Sequence, residues 1–271
     1  MFNSFIYWIT ERENIRLNRL NGLRKPWTED PILQQYRFCN VRRMDDRVSQ
    51  WLKGNWYLPN LGDRNMLLAC ALARFINRPD SLEVIGYPHR FDPKSIKRKL
   101  REYRDRGNPV FNGAYMVRGN DGMDKIECVV DYYVSPLKRL LKKIDPSSMR
   151  ATWEVLKESY GMGSFMAGQI VADLRWGLPG EWADRETWAP LGPGSLRGMN
   201  RLLGNPIKTP MTQVQFENNL LELINRCYES LPKWITDRLE AIDYQNCLCE
   251  FDKYQRVSLG EGEPKQRYKG V

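Results

Sequence analysis

Residues 152–176 read TWEVLKESYGMGSFMAGQIVADLRW, and this stretch decides the fold. Residues before Gly161 favour a helix, and Ser164 is predicted to be the N-cap of a second helix. Apolar side chains then recur at helical spacing, at Ala167, Ile170, Val171 and Leu174. Glycines such as Gly161 and Gly163 let a backbone turn tightly, and a helix N-terminus attracts anions. The stretch predicts a helical hairpin that contacts phosphate, with an ordinary tight turn as the alternative.

Most of the remaining chain is predicted to be helical. Helical spacing of apolar residues extends over 3–20, 64–75, 94–106, 137–144, 149–160, 195–203, 213–230 and 231–246. By contrast, 110–117 and 126–134 have the composition of strands and flank a Gly-Asn-Asp-Gly turn, which predicts one small β-hairpin at 110–134.

The pattern of elements predicts a mainly α fold that is a single compact unit over residues 1–256. We expect two lobes, an N-terminal lobe of about 1–135 with the β-hairpin and a hairpin lobe of about 136–256. Residues 257–271 have few apolar side chains and are expected to form a mobile tail.

The charge of the chain favours a nucleic-acid partner. Among 271 residues there are 42 Lys and Arg against 33 Asp and Glu, a net charge of +9. Residues 94–106 concentrate basic side chains, and they predict phosphate contacts from Lys97, Arg98 and Arg101. A solvated helix face is the alternative for this segment.

Cysteine and histidine usage restricts the chemistry. The six cysteines are scattered and His89 is the only histidine, which argues against a disulfide scaffold, a Cys/His metal site and a histidine base. No stretch has the length and apolarity of a membrane span. We therefore expect a cytoplasmic protein without a cofactor or a metal.

The hairpin with the residues that follow it resembles the helix-hairpin-helix superfamily of DNA glycosylases. Asp184 lies twenty-one residues after Gly163, beyond a Gly/Pro-rich segment, where that superfamily has its catalytic aspartate. The resemblance implies a glycosylase-like helical fold in which Asp184 stabilises an oxocarbenium-like sugar or aligns a water. Phe165 occupies the position of the lysine of bifunctional members, which implies a monofunctional reaction.

A second resemblance covers most of the chain. Its motifs are Thr10-Glu-Arg-Glu, Lys25-Pro-Trp-Thr-Glu-Asp-Pro-Ile-Leu, the stretch from Tyr36 to Asp46, Gly192-Pro-Gly-Ser-Leu-Arg-Gly and the stretch from Leu248 to Arg256. They resemble the alpha-glutamyl/putrescinyl thymine pyrophosphorylase family, also described as the helical domain that accompanies 5-hydroxymethyl-deoxyuridine DNA kinases. The resemblance implies an association with hypermodified pyrimidines of phage DNA. The chain contains no P-loop, so we expect any phosphorylation to come from another polypeptide.

Further candidate residues come from two groups. In the second glycine turn, Ser195 is predicted to be the N-cap of the helix that follows. The turn predicts another phosphate or pocket-lining site, or a capped turn that positions Asp184, from Gly192, Gly194, Ser195 and Arg197. Candidates for contact with an extruded base are Asn40, Arg43, Asp46, Trp182, Trp188 and Glu250. Salt-bridged helix faces and core packing are the alternatives for the second group.

Three functions are compatible with these patterns. The first is a monofunctional DNA glycosylase that flips a 5-hydroxymethyl-derived pyrimidine, in its plain or glucosylated form, out of double-stranded DNA and leaves an abasic site, as a defence against phage. The second is a transferase or pyrophosphorylase that acts on 5-substituted thymine. The third is a non-catalytic DNA-binding module that works with a separate kinase.

Overall fold

The protein is described by a computed structural model, which covers residues 1–113 and 122–268. It divides into two compact units. Unit 1 consists of Met1–Asp46 and Arg185–Val271, and unit 2 consists of Arg47–Asp184. The described residues are mainly helical, and their one β feature is an isolated bridge between Tyr36 and Arg267.

Helices account for most of the described residues. The α-helices are α1 (Phe2–Leu20), α2 (Pro31–Gln35), α3 (Arg47–Trp51), α4 (Met66–Ile76), α5 (Pro79–Ile85), α6 (Pro93–Asp105), α7 (Lys125–Glu127), α8 (Met149–Lys157), α9 (Ser164–Gly177), α10 (Pro193–Leu203), α11 (Gln213–Ser230), α12 (Lys233–Thr236) and α13 (Ala241–Ser258). The tighter 3₁₀ segments are Arg43–Asp45, Leu58–Asn60 and Ser135–Lys143. The wider π-helical segments are Leu52–Tyr57 and Cys128–Val134.

Unit 1 packs the two ends of the chain around α13. Most of α13 is buried, and the ring of Phe251 meets that of Phe5 on α1 edge to face, with centroids 5.2 Å apart. Asp252 is fully buried and accepts hydrogen bonds from Arg197 Nε at 2.8 Å and Arg201 Nε at 2.9 Å. Because the buried carboxylate is paired with α10, it fixes the register of α10 on α13.

Unit 2 is built around α4, whose eleven residues are all buried. Arg74 on α4 forms a buried ion pair with Asp173 on α9, with Nη2 and Oδ1 2.6 Å apart. The Tyr57 hydroxyl donates to the same carboxylate at 2.6 Å. Burial and the neighbouring Asp173 raise the pKa of Tyr57 well above its usual value, so the phenol stays a donor.

The predicted β-hairpin is wrong where the structure describes it. Residues 126–134 lie in α7 and the π-helical segment that follows, with Val129, Val130 and Val134 buried. Residues 110–113 form no strand, and residues 114–117 of the other predicted strand lie outside the described residues. The β-branched composition favoured a strand, but burial of successive side chains selected a wide helix.

The unit boundaries differ from the lobe boundary expected between residues 135 and 136. That boundary falls inside unit 2, whereas unit 1 is discontinuous because α1 packs on α13. The tail expected from residue 257 begins inside α13, which continues to Ser258. Farther on, Arg37 N donates to Gln266 O at 3.0 Å and Tyr268 N donates to Gln35 O at 3.0 Å.

None of the helices in residues 1–113 and 122–268 combines the length and apolarity needed to cross a membrane. The same residues bring together no cluster of three or more His, Cys, Asp or Glu side chains with metal-binding geometry.

Candidate nucleic-acid interface

Helices α8 and α9 form a hairpin joined by a tight turn. Gly161 has a φ of +75°, a left-handed conformation that favours glycine, and a Cβ there would overlap the ring of Tyr133. Met162 N donates to Ser159 O at 3.1 Å within the turn. Trp153 on α8 donates from Nε1 to Ser164 O at 3.0 Å, which ties the two helices together. Two helices joined at the glycine turn therefore form as predicted.

The start of α9 differs in detail from the expectation. Gly163 is the N-cap and Ser164 is the first helical residue, so the prediction of Ser164 as N-cap is wrong. A Cβ added at Gly163 would meet no atom within 4 Å, so the turn faces open space there. The positive end of the α9 dipole thus lies at an open surface.

An aromatic stack runs from the core to this turn. The rings of Phe75 and Tyr133 are stacked with centroids 5.2 Å apart, and those of Tyr133 and Tyr160 with centroids 6.1 Å apart. Tyr160 is 62% exposed at the end of the stack, and Phe165 is 47% exposed on the first turn of α9. The turn therefore presents aromatic side chains on a rigid support.

The 3₁₀ segment Ser135–Lys143 supplies positive charge beside the hairpin. Leu137 and Leu140 are buried, and the exposed cations between and after them are Lys138, Arg139 and Lys142. None of these three has a carboxylate partner in the described part of the chain. Lys143 joins the segment to the hairpin through a 3.2 Å ion pair with Glu158.

Sequence reasoning missed these three cations. The signal was present, because apolar residues three apart place Leu137 and Leu140 on one face of a 3₁₀ helix and the cations on the other. The prediction went instead to the denser basic segment. We name Lys138, Arg139, Lys142, Tyr160 and Gly163 the hairpin surface.

The cations predicted on α6 are neutralised by their neighbours. Lys97 pairs with Asp131, and Arg101 pairs with Glu127. Arg98 pairs with Glu102 one turn along the same helix at 2.9 Å. The three cations predicted on α6 thus each have a carboxylate partner, unlike Lys138, Arg139 and Lys142.

Asp184 caps the first helix of the hairpin. Its carboxylate accepts hydrogen bonds from Met149 N at 2.7 Å, from Arg150 N at 2.9 Å and from the Ser148 hydroxyl at 2.8 Å. The chain before it is held by Trp182 N, which donates to Pro146 O at 3.1 Å. The carboxylate thus satisfies first-turn amides of α8, at the opposite end of that helix from the glycine turn.

The two tryptophans that bracket Asp184 are each 3% exposed. Trp182 belongs to unit 2 and donates from Nε1 to Leu178 O at 3.3 Å. Trp188 belongs to unit 1 and donates from Nε1 to Glu217 at 2.9 Å. Both rings are buried, in agreement with the alternative that these tryptophans are core residues.

The second glycine turn, in unit 1, is closed by packing. Gly192 is the N-cap of α10 and its N–H donates to Ser195 Oγ at 3.0 Å, so Ser195 acts from the third helical position and the prediction of Ser195 as N-cap is wrong. A Cβ at Gly194 would overlap Cys249 Sγ on α13. Arg197 is paired with Asp252. The turn serves the contact between α10 and α13.

A family model described as "5-hmdU DNA kinase, helical domain" matches residues 1–263. The chain belongs to this family of helical domains. This is the same helical domain that the second resemblance in the sequence indicated.

A curated relative of this helical domain is the 5-hmdU DNA kinase of Bacillus phage SP10. The two are 29% identical over 238 residues, which is 76% of this chain and 37% of the relative. The chain therefore spans little more than a third of the length of that kinase. No solved structure gave a significant match.

The motifs that resemble this family converge on α13 of unit 1. Arg12 Nη2 donates to Phe38 O at 3.0 Å, and Tyr254 on α13 donates its hydroxyl to Asp30 at 2.7 Å. The segment around Asn40 is held by Asn246 Nδ2, which donates to Asn40 O at 3.3 Å. These contacts between distant motifs fix the N-terminal segment on the last helix.

Two of the predicted base-contacting residues take part in the same docking. Glu250 is 2% exposed, accepts from Cys39 N at 3.1 Å and pairs with Lys253. Arg43 N donates to Asp243 Oδ1 at 2.7 Å. Asp46, the last residue of this part of unit 1, is exposed. Asn40 and Arg43 thus lie against α13, the helix that carries Glu250.

Two buried thiols of unit 1 contribute packing rather than nucleophiles. Burial raises the pKa of Cys227 to about 12, and it raises the pKa of Cys247 well above its usual value. None of the six cysteines forms a disulfide.

Proposed function

We propose that this chain binds double-stranded DNA that carries 5-hydroxymethyl-type pyrimidines, and that it does so through the hairpin surface of unit 2. The observation that carries the proposal is the set of three exposed cations without carboxylate partners, Lys138, Arg139 and Lys142, in the segment tied to the hairpin turn. Unpaired cations release counterions from DNA when they contact phosphates, which is the main source of sequence-independent affinity.

The aromatic and glycine parts of the surface support the same partner. At Gly163 the backbone is open to close approach, and the α9 dipole favours an anion there. Tyr160 offers an exposed ring whose orientation is fixed by its stack on Tyr133. An exposed aromatic ring next to a phosphate site can stack on a base that has left the helix.

Membership of the helical-domain family supports the choice of DNA. The SP10 relative is named a 5-hmdU DNA kinase, which associates this kind of domain with a modified pyrimidine. Since this chain corresponds to a part of that protein, we propose that it presents the modified DNA to chemistry supplied by a kinase.

Binding is tested by fluorescence anisotropy with two duplexes that differ in a single 5-hydroxymethyl-deoxyuridine in place of thymidine. Affinity is measured over a range of salt for the wild type and for the triple variant Lys138→Ala, Arg139→Ala, Lys142→Ala. Loss of three phosphate contacts should reduce the slope of log affinity against log salt by about 2.7. Preference for the modified duplex should persist in the variant, because phosphates carry no base information.

A matched control removes the same charge from α6 through Lys97→Ala, Arg98→Ala and Arg101→Ala. Because these cations are already paired, the slope should change by less than about 0.9. An equal change in the two triple variants would assign the effect to net charge and refute the hairpin surface.

A second candidate is excision of the modified base with Asp184. It is favoured by the position of this carboxylate, which three donors hold rigidly at the start of the hairpin. In such a reaction the N-glycosidic bond breaks, the base leaves with the bonding electrons, and water adds to the sugar to give an abasic site. The residue would stabilise positive charge at the anomeric carbon.

Asp184→Asn separates excision from binding alone. Wild type and variant are incubated with the modified duplex, and released base and alkali-labile sites are measured by mass spectrometry and gel. Base release that the variant loses by orders of magnitude while it still binds DNA supports excision. If the wild type leaves the DNA intact, excision is refuted and the binding function remains. Attachment of an amine or amino acid to the base, seen as a mass gain, would instead indicate the transferase alternative.

A further inference from the structure

A cavity of about 240 Å³ opens in unit 1. None of the residues that line it belongs to the hairpin surface, which lies in unit 2. Its walls come from the motif that begins at Lys25 and from Tyr268 near the end of the chain, with Ile15 and Leu33 as apolar lining. No part of the proposed DNA contact uses these residues. The motif belongs to the stretches that resemble the helical-domain family, so it needs its own account.

Two aromatic rings form the cavity walls. Trp27 and Tyr268 meet edge to face, with centroids 6.2 Å apart and planes at 76°. Lys25 Nζ lies 5.5 Å from the Trp27 centroid and 5.2 Å from the Tyr268 centroid. The ammonium group is thus held by the π faces of both rings.

Two more cations border the same rings. Arg19 Cζ is 5.2 Å from the Trp27 centroid, and Arg37 Cζ is 6.0 Å from the Tyr268 centroid. Arg19, Lys25 and Arg37 are exposed, and within the described ranges none of them has a carboxylate partner. Lys25 thus lines the pocket, and Arg19 and Arg37 add positive charge at its two aromatic rings, which together attract an anion.

Hydrogen bonds fix the walls. Trp27 Nε1 donates to Leu23 O at 2.8 Å, and Asn18 Nδ2 donates to Trp27 O at 2.9 Å. Tyr268 is held by its backbone N–H on Gln35 O. Because the rings are positioned before a ligand arrives, little ordering entropy opposes binding.

We infer that this cavity binds a pyrimidine nucleotide, with the base against Trp27 and Tyr268 and the phosphate at Arg19, Lys25 and Arg37. The volume lies below the roughly 300–1,000 Å³ of sites for drug-sized ligands, so a single ring fits better than a larger system. Aromatic rings stack on the flat face of a base, and arginine and lysine are the usual phosphate ligands. The inference holds whether or not the hairpin surface binds DNA.

The same chemistry occurs in a free mononucleotide and in a nucleotide of a single strand, so the experiment compares both sources. Isothermal titration of the full chain uses thymidine 5′-monophosphate, thymidine and a short oligothymidylate. We expect binding of the monophosphate, or of the oligonucleotide, at least about tenfold tighter than that of thymidine, since only the phosphate uses the three cations. Binding of the monophosphate identifies a free nucleotide, and binding of the oligonucleotide alone identifies a strand.

Variants assign the binding to the cavity. Tyr268→Ala and Lys25→Ala should each weaken binding by roughly tenfold, the loss typical of one stacking partner or one charged contact. The control Trp234→Ala removes an exposed tryptophan of unit 1, and Lys233→Ala removes a lysine beside it; both should leave binding unchanged. Circular dichroism of each variant checks that it is folded.

Two results would overturn the inference. One is the absence of heat of binding with any of the three probes at millimolar ligand. The other is binding that Tyr268→Ala and Lys25→Ala leave unaltered, or that thymidine matches. The triple variant of Lys138, Arg139 and Lys142 should keep nucleotide binding, so failure of this site and failure of the hairpin surface are distinguishable.

Discussion

The two glycine turns of this protein look alike in sequence and differ in the structure. In unit 2, Gly161-Met-Gly163 leads into α9 and leaves Gly163 facing open space. In unit 1, Gly192-Pro-Gly194 leads into α10, and its second glycine lies against Cys249 on α13. The comparison teaches that a Gly-x-Gly before a helix serves either a ligand or a neighbouring helix, and the neighbour decides which.

The largest expected effect is a loss of stability from a substitution in α10, the helix that follows the packed turn. Gly198 lies one turn into α10, and a Cβ there would overlap the backbone oxygen of Leu248, which cannot move without shifting α13. Gly198→Ala should lower the free energy of unfolding by about 3 kcal/mol, as overpacking in a close helix contact does. Urea unfolding followed by far-ultraviolet circular dichroism measures it.

Gly163→Ala is the matched control for that change. It places the same methyl group at the open turn, where the backbone has an ordinary φ of −66°. We expect a loss below about 1 kcal/mol, the difference between glycine and alanine at an N-cap. Equal losses for Gly163→Ala and Gly198→Ala would contradict the distinction between an open and a packed turn.

Gly161→Ala probes the other glycine of the open turn. The substitution puts a side chain on a left-handed residue and against Tyr133, so two costs combine. We expect a loss of about 2 kcal/mol in the same unfolding experiment, between the losses of the other two variants. Weakened DNA binding should accompany it, since the position of Tyr160 depends on this turn. A loss as small as that of Gly163→Ala would show that the turn does not need its left-handed residue.

Removal of the Asp184 side chain should have a smaller effect on stability. Asp184→Ala leaves first-turn amides of α8 without their acceptor, which typically costs about 1 kcal/mol for a helix cap. Asp184→Asn keeps one acceptor oxygen and should lose less. A thermal unfolding scan of the two variants checks the order, and no loss in Asp184→Ala would remove the capping role.

The smallest expected effects on stability distinguish the two basic segments of unit 2, Ser135–Lys143 and α6. Lys138→Ala removes an exposed cation without a carboxylate partner among the described residues, so stability should change by less than about 0.5 kcal/mol. Lys97→Ala leaves Asp131 without its partner and should cost up to about 1 kcal/mol, less at high salt. Unfolding at two ionic strengths measures both, and a salt-dependent loss for Lys138→Ala would assign it a hidden structural role.

Helix positions were largely predictable because their periodicity is written in the residues themselves. The predictions for 3–20 and 213–230 correspond to α1 and α11. The prediction for 126–134 failed because valines and tyrosines have strand propensity, while packing buries adjacent side chains in a π-helical segment. Both serine N-caps failed for a related reason, since glycine took the cap position at each helix start.

The candidate site was only partly predictable. The glycine turn at Gly161 and Gly163 was predicted from its spacing, but the sequence did not show that the three cations predicted on α6 pair with carboxylates. A run of basic residues does not reveal which carboxylates lie opposite it, and those on Asp131 and Glu127 come from another helical segment. The aromatic cavity joins Trp27 and Tyr268, which are far apart in the chain and have no shared pattern.

The sequence by itself determined the mainly helical fold, the hairpin, the net positive charge and membership of the helical-domain family, because each depends on local spacing, composition or motif. The tertiary structure alone decided which glycine turn is open, which cations are unpaired and where Asp184 points. Those properties depend on side chains brought together from distant positions by burial, and no local pattern specifies such pairs.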